Sequence, residues 1–197
     1  MRIFLTGFQR SGTTLLRHIF RMHPNIKKMY HEECILPKKR EDLSNKIKFD
    51  FEKENWGEKL PWYDMKRSGF KGDTLLDYCD RWIDYFAPDV RIIQIVRHPY
   101  DVIISNQKTF GVKPRNCLEQ MNRLIPKVIP KISKLEYSMS ISFEDLLLET
   151  DITLKNMFEF CGIDNSPEII EYIGKTKDKK NIRMGGIKKK RAYAYSN

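Results

Sequence analysis

Apolar and polar residues follow one another along this chain in patterns that predict strands and helices in alternation. Residues 3–5 are a short apolar run that indicates a buried strand, and residues 91–96 are a longer run rich in β-branched side chains. Apolar residues recur at helical spacing from Thr13 onward and again over residues 75–86. Strands that alternate with helices predict a three-layer α/β fold with a central parallel sheet of about four to five strands.

The second half of the chain continues this alternation. The pattern predicts a helix that begins at Pro99, a strand over residues 137–142, and a helix over residues 151–161 that Gly162 ends. A helical stretch over residues 116–135 is expected to be interrupted by Pro126 and Pro130, because proline removes a helical hydrogen bond. The highly charged residues 38–66 predict an irregular excursion with short helices.

The composition is that of a folded chain without a membrane-spanning run. With 197 residues, 41% of them hydrophobic, the chain can form one domain with an ordinary core. The apolar start at residues 1–6 is too short for a signal peptide, so a cytoplasmic location is expected. The four cysteines are widely spaced, which predicts reduced thiols and argues against a zinc site or a disulfide framework.

The positive charge is concentrated near the C-terminus. The formal net charge is +10, and residues 175–191 contain nine Lys or Arg against the single acid Asp178. Such a segment is a solvated tail, a nucleic-acid-binding surface or a set of cations that closes over a polyanionic ligand. Only a second, independent sign of phosphate binding would favour the third explanation.

The loop between the first strand and the first helix has the spacing of a phosphate-binding loop. It reads Gly7-Phe8-Gln9-Arg10-Ser11-Gly12-Thr13-Thr14. Its glycines permit a tight turn, after which backbone N–H groups at the helix N-terminus can surround a phosphate. An ordinary strand-to-helix turn would share this glycine pattern.

Two differences separate this loop from an ATP-binding loop. A Walker A loop carries a lysine where Thr13 stands, and that lysine contacts the β- and γ-phosphates of a nucleoside triphosphate. The strand at residues 91–96 is followed by Arg97, not by the aspartate that would hold Mg²⁺. With Arg10 as a cation inside the loop, the sequence predicts a phosphate held by arginine and backbone without a metal ion.

A second candidate phosphate site follows the second strand. Arg97 comes directly after the strand, and Ser105 lies eight residues later on the next helix. An arginine can bind a phosphate with two hydrogen bonds, and a serine hydroxyl can donate a third. Alternatively, Arg97 pairs with Asp101 and Ser105 is a helix-surface residue. Two phosphate sites at the ends of parallel strands would suit a nucleotide with phosphates at both ends.

These segments together resemble the PAPS-dependent sulfotransferases, whose donor is 3′-phosphoadenosine 5′-phosphosulfate (PAPS). Residues 9–16 look like the family's 5′-phosphosulfate loop, and residues 93–105 look like its 3′-phosphate motif. His23-Pro24 followed by Glu32-Glu33 is similar to the tyrosylprotein branch of the family. The Glu-Glu pair lies two residues farther on than in that branch, and an arginine that follows it there is absent.

The resemblance implies an α/β P-loop fold, PAPS as donor, PAP as product and a role for each candidate residue. The 5′ end of the donor would be held by Arg10, Ser11, Gly12, Thr13, Thr14 and Leu15, and the 3′-phosphate by Arg97 and Ser105, with Arg183 and Lys189 closing over it. Glu33 is the expected base, with Glu32 and His31 as competitors. Arg10 and Lys71 are expected to stabilise charge on the leaving oxygen.

Other functions remain open at this point. A P-loop kinase acting on a small molecule would need ATP and Mg²⁺, and a nucleic-acid-binding protein would explain the basic segment but not the loop. A catalytically inactive protein that binds PAP is a third alternative. The acceptor, a hydroxyl or an amine, is not readable from the sequence, and neither is whether the chain forms a homodimer.

Overall fold

The computed structural model describes residues 1–45, 52–62 and 74–178. The strands are β1 (Arg2–Gly7), β2 (Lys28–His31), β3 (Trp56–Pro61), β4 (Val90–Val96) and β5 (Ser138–Ser142). The α-helices are α1 (Thr13–Met22), α2 (Leu75–Phe86), α3 (Pro99–Phe110), α4 (Pro114–Ile132), α5 (Phe143–Leu148), α6 (Thr150–Cys161) and α7 (Pro167–Asp178). A 3₁₀ helix spans Arg40–Asn45.

The five strands form one parallel sheet in the order β2-β3-β1-β4-β5. The strand β1 lies at its centre, between β3 and β4. Because all strands run in one direction, the segments that follow β1, β3 and β4 meet at the same edge of the sheet, where ligands of such folds bind. The fold predicted from the sequence is therefore confirmed.

Helices cover both faces of the sheet. One apolar cluster joins the sheet to α2, α3 and α4, and a second joins it to α1, α5, α6 and α7. The side chains of β1 show the division, because Phe4 packs in the first cluster while Ile3 and Leu5 pack in the second. All four cysteines are buried, and none forms a disulfide within the described residues. None of the helices in the described ranges has the length and apolar character needed to cross a membrane.

The prediction of an irregular excursion over residues 38–66 is wrong at its centre. Residues Trp56–Pro61 form the strand β3, which pairs with β1 on one side and β2 on the other. The strand carries two adjacent charged residues, Glu58 and Lys59, and both are buried, at 0% and 2% exposure. Charged residues are normally found at the surface, so a prediction from the apolar pattern assigns them to loops. It therefore misses a strand whose charged side chains are buried.

The expected interruption of the helix near residues 126–130 is also wrong. The helix α4 runs through both Pro126 and Pro130. Each proline leaves a carbonyl four residues earlier without its helical donor, and those carbonyls belong to Asn122 and Pro126. All three residues are exposed, so water can bond the freed carbonyls and the helix continues.

Candidate functional site

Two glycines shape the loop between β1 and α1. A side chain at Gly7 would stand 2.4 Å from the backbone oxygen of Ile95 in the neighbouring strand, so the loop lies directly against β4. Gly12 has φ 105°, which favours glycine, and a Cβ there would meet the ring of Phe143 at 2.4 Å. Between them Arg10 adopts the left-handed region with φ 70° although it has a side chain. The loop therefore has a constrained backbone, as is common where a protein binds a ligand.

The loop delivers free backbone donors at the start of α1. The first helical hydrogen bond runs from the N–H of Leu16 to the carbonyl of Gly12, at 3.1 Å. The preceding N–H groups of Thr13, Thr14 and Leu15 therefore have no acceptor inside the helix, and no described side chain caps it. The side chain of Leu15 lies in the core, so only its backbone faces this end. These donors and the helix dipole suit an anion.

The structure brings the two candidate phosphate segments into direct contact. The Nε atom of Arg10 donates to the Oγ atom of Ser105 at 3.0 Å. The Nη1 atom of Arg97 donates to the carbonyl oxygen of Arg10 at 3.1 Å. Asn106, next to Ser105, donates to the carbonyl of Gln9 at 3.5 Å. Two arginines and a serine thus lie beside the N-terminus of α1 at one edge of the sheet.

Arg97 is a cation whose surroundings only partly compensate its charge. Its guanidinium carbon stands 4.3 Å from the centre of the Phe143 ring, and its Nε atom is buried without a hydrogen-bond partner among the described residues. Burial lowers the pKa of Arg97 from its usual value, with the nearby Asp101 and Glu144 carboxylates opposing that effect. A bound phosphate would supply both the missing acceptor and the missing negative charge.

The pair Glu32-Glu33 lies in a segment that we call the acidic loop, residues 32–36, which follows β2. Its first side chain forms an ion pair with Lys59 of β3, through Oε1 of Glu32 and the ammonium nitrogen. The Nε2 atom of His31 lies 3.6 Å from the same oxygen. Burial lowers the pKa of His31, and the positive charge of Lys59 lowers it further. Glu33 is exposed at the surface of the loop.

Other predicted residues have different outcomes. His23, which precedes Pro24, is buried and contacts the carbonyl oxygen of Asp164 through Nε2 at 2.9 Å, so it is a structural residue at the end of α1. Lys71, Arg183 and Lys189 lie outside the described residues. No group of three or more His, Cys, Asp or Glu within residues 1–45, 52–62 and 74–178 is arranged to hold a metal ion.

Sequence reasoning missed Lys59. The residue lies near the carboxyl end of β3, level with Leu5 of β1 and His31 of β2. A lysine next to the apolar residues 60–62 was the available signal, but the charged residues before it concealed the strand. A buried lysine held by a carboxylate at the ligand-binding edge of a sheet is a candidate functional group, because such groups seldom lie buried without a role.

These features define an α/β nucleotide-binding protein of the P-loop type: a parallel sheet, a constrained loop after its central strand, and two arginines beside that loop. A family model described as "Sulfotransferase domain" matches residues 1–194. The chain therefore belongs to the sulfotransferase family, as its motifs indicated. A comparison with curated protein sequences finds no match.

Solved structures of sulfotransferases share the fold. A sulfotransferase domain from the curacin biosynthetic pathway has a TM-score of 0.60 at 20% identity, over 85% of this chain and 75% of the other. A mouse sulfotransferase complexed with PAP has a TM-score of 0.59 at 18% identity, over 90% of this chain and 66% of the other. A sulfotransferase domain of the Synechococcus PCC 7002 olefin synthase has a TM-score of 0.59 at 17% identity, over 86% of this chain and 76% of the other.

Proposed function

We propose that this protein transfers a sulfonate group from PAPS to an acceptor hydroxyl or amine. The observation that carries the proposal is the contact between Arg10 and Ser105, supported by the bond from Arg97 to the Arg10 backbone. It joins the two segments expected to bind opposite ends of the donor. A mouse sulfotransferase of the same fold is complexed with PAP, which supports the choice of nucleotide.

The donor's two ends would bind different groups of this site. The free N–H groups at the start of α1 and the hydroxyls of Ser11 and Thr13 suit the 5′-phosphosulfate. Arg97 and Ser105 suit the 3′-phosphate, because a guanidinium with an unused buried donor gains most from an anion. Arg183 and Lys189 stay predicted contacts of the same phosphate.

The transfer itself needs a base and a stabilised leaving group. The acceptor oxygen or nitrogen attacks sulfur, the bond from sulfur to the 5′-phosphate oxygen breaks, and PAP leaves with the electrons of that bond. We assign the acceptor's proton to the carboxylate of Glu33, because Glu32 is engaged by Lys59. Arg10 and Lys59 are the described cations that can neutralise charge on the leaving oxygen, and Lys71 stays a candidate for the same role.

A ligand panel tests the nucleotide. PAP without metal should raise the unfolding temperature, and ligand at a hundred times its dissociation constant contributes about 2.7 kcal/mol. ATP with Mg²⁺ and single-stranded DNA should have little effect. Stabilisation by ATP and Mg²⁺ without stabilisation by PAP would indicate the kinase instead.

Release of PAP from PAPS tests the chemistry. The assay offers a panel of phenols, sugars, amines and tyrosine peptides as acceptors. Wild-type protein should form PAP from PAPS. Glu33→Gln should bind PAP normally but form it from PAPS far more slowly, since general base catalysis contributes about a hundredfold or more. A protein that binds PAP but forms none from PAPS with any acceptor would be the catalytically inactive alternative.

A further inference from the structure

Three backbone N–H groups of the acidic loop, those of Glu32, Ile35 and Leu36, donate to β3 or to a side chain bonded to it. The N–H of Glu32 donates to the carbonyl of Lys59 at 2.9 Å. The N–H of Ile35 donates to Oε2 of Glu58 at 3.3 Å, and the N–H groups of Glu33 and Cys34 lie close enough to that carboxylate to help lower its pKa. The whole loop backbone is thereby held against one strand.

Tyr78 of α2 completes this arrangement. Its hydroxyl donates to Oε2 of Glu58 at 2.6 Å and accepts the N–H of Leu36 at 3.1 Å. Both Tyr78 and Glu58 are fully buried. The last N–H of the loop therefore reaches the same carboxylate through one hydroxyl.

The conformation of the acidic loop explains why so many donors converge. Glu32 has φ 61° and Cys34 has φ 47°, so two residues with side chains adopt the left-handed region within three positions. Backbones that include left-handed residues can turn successive N–H groups to one side and form a concave site for an anion. Here the anion is the protein's own Glu58. Strained conformations of this kind persist only where their surroundings hold them.

We propose that Glu58 is a positioning residue of the transfer site, whose buried carboxylate holds the acidic loop in the conformation that presents Glu33 to the acceptor and Glu32 to Lys59. Its catalytic consequence rests on the proposed function, whereas its effect on the loop rests on geometry alone. Glu58 itself does not touch a substrate, because it lies on the face of the sheet covered by α2.

The proposal has a consequence for pH. Burial raises the pKa of Glu58 to about 7, although the hydrogen bonds from Tyr78 and the loop N–H groups oppose the increase. Near neutral pH the carboxylate therefore takes up a proton and loses its charge, and a neutral carboxyl accepts N–H hydrogen bonds more weakly than a carboxylate. The acidic loop should become less firmly held as the pH falls.

Among residues 1–45, 52–62 and 74–178, few other ionisable groups face Glu58. They are the phenol of Tyr78 from α2, the phenol of Tyr30, which is level with Glu58 in β2, and the thiol of Cys34 in the acidic loop. From β1 the neighbour is Phe4, which has no charge. Burial raises the pKa of Tyr78 well above its usual value, so this phenol stays neutral.

The charged neighbours of Glu58 in β3 and β2 that the structure describes lie on other faces. Lys59 points to the opposite face of β3, where it meets Glu32 and His31. Burial lowers the pKa of His31 from its usual value, which moves its titration away from that of Glu58. A change near neutral pH that disappears in Glu58→Gln would therefore be assigned to the carboxyl group of Glu58.

The variant Glu58→Gln tests the proposal because it keeps the shape and removes the charge. We expect unchanged PAP affinity, a fall of about a hundredfold in the rate of PAP release from PAPS, and faster amide hydrogen exchange in residues 33–36. The wild-type rate should fall as the pH drops below 7, and this acid limb should be absent in the variant. Gln94→Leu is the control, since Gln94 is equally buried in β4 but does not contact the loop.

A second variant covers failure of the first to fold. Tyr78→Phe keeps the carboxylate but removes a hydrogen bond that lowers its pKa, so the acid limb should move to higher pH. The proposal would be overturned if both variants kept the wild-type amide exchange in residues 33–36 and the wild-type pH dependence of the rate. A wild-type protein that releases no PAP would refute the proposed function alone, and amide exchange would still decide the role of Glu58.

Discussion

The side chain of Arg10 donates a hydrogen bond to Ser105 at 3.0 Å, although the two residues are 95 positions apart. Arg10 belongs to the loop after the central strand, and Ser105 to a helix that follows the neighbouring strand. The contact makes one binding site from two segments, each of which alone has an ordinary structural explanation.

Replacing Ser105 by alanine should weaken PAP binding about tenfold, because a hydrogen bond to a charged group contributes about 1.5–3 kcal/mol. Calorimetric titration with PAP measures the change. Thr109→Ala on the exposed side of the same helix is the matched control and should bind as the wild type does. Equal affinities for PAP in Ser105→Ala and Thr109→Ala would remove Ser105 from the site.

Arg97 should distinguish PAP from AMP, which lacks the 3′-phosphate. In the wild type PAP should bind more tightly, and in Arg97→Ala this preference should shrink about tenfold or more while AMP affinity changes little. Arg97→Lys should recover only part of it, since lysine cannot make the paired hydrogen bonds of a guanidinium. Arg115→Ala removes an equal charge from an exposed position on α4. A preference for PAP that survives in Arg97→Ala would place the 3′-phosphate elsewhere.

Gly12→Ala should destabilise the protein and abolish PAP binding together. The added methyl group would meet Phe143 and would require a positive φ that side chains avoid. Gly162→Ala is the control, because its φ of 64° costs a side chain only about 1–2 kcal/mol and a Cβ there has no neighbour within 4 Å. Urea denaturation of both variants should show the larger loss for Gly12→Ala; equal losses would mean that the loop backbone and Phe143 both relax around the methyl group.

Glu58 should make stability and activity change in opposite directions with pH. Its pKa is about 7 in the folded protein against 4.5 in an unfolded chain, so the folded state binds the proton more tightly. The stability from this group is therefore fully present below pH 4.5 and falls by about 3 kcal/mol as the pH rises through 7. Denaturation at several pH values measures it, and the slope that Glu58 contributes should vanish in Glu58→Gln. An identical slope in the variant would mean that another group titrates.

The elements that the sequence predicted correctly have either a continuous apolar run or apolar residues at helical spacing. Residues 91–96 and 75–86 are of this kind, and the phosphate loop was recognisable because its glycines and Arg10 are local in the chain. The strand β3 was not predicted, because Glu58 and Lys59 are buried by partners that come from distant positions. Pairing of that kind compensates a buried charge, but it leaves no period in the sequence.

The central position of β1 sets the order in which this molecule can assemble. Thr6 of β1 bonds the carbonyl of Leu60, 54 positions away, and β4 on its other side comes later still. Such pairings close long loops and slow folding, and β2 can join the sheet only once β3 is in place, because β3 is the described strand with which it pairs. Because Lys59 and Glu58 arrive with β3, a chain that has not inserted this strand has neither the ion pair nor the held acidic loop. Only molecules with a complete sheet would then transfer sulfonate. The activity of a preparation would therefore also report the fraction of its molecules that are correctly folded.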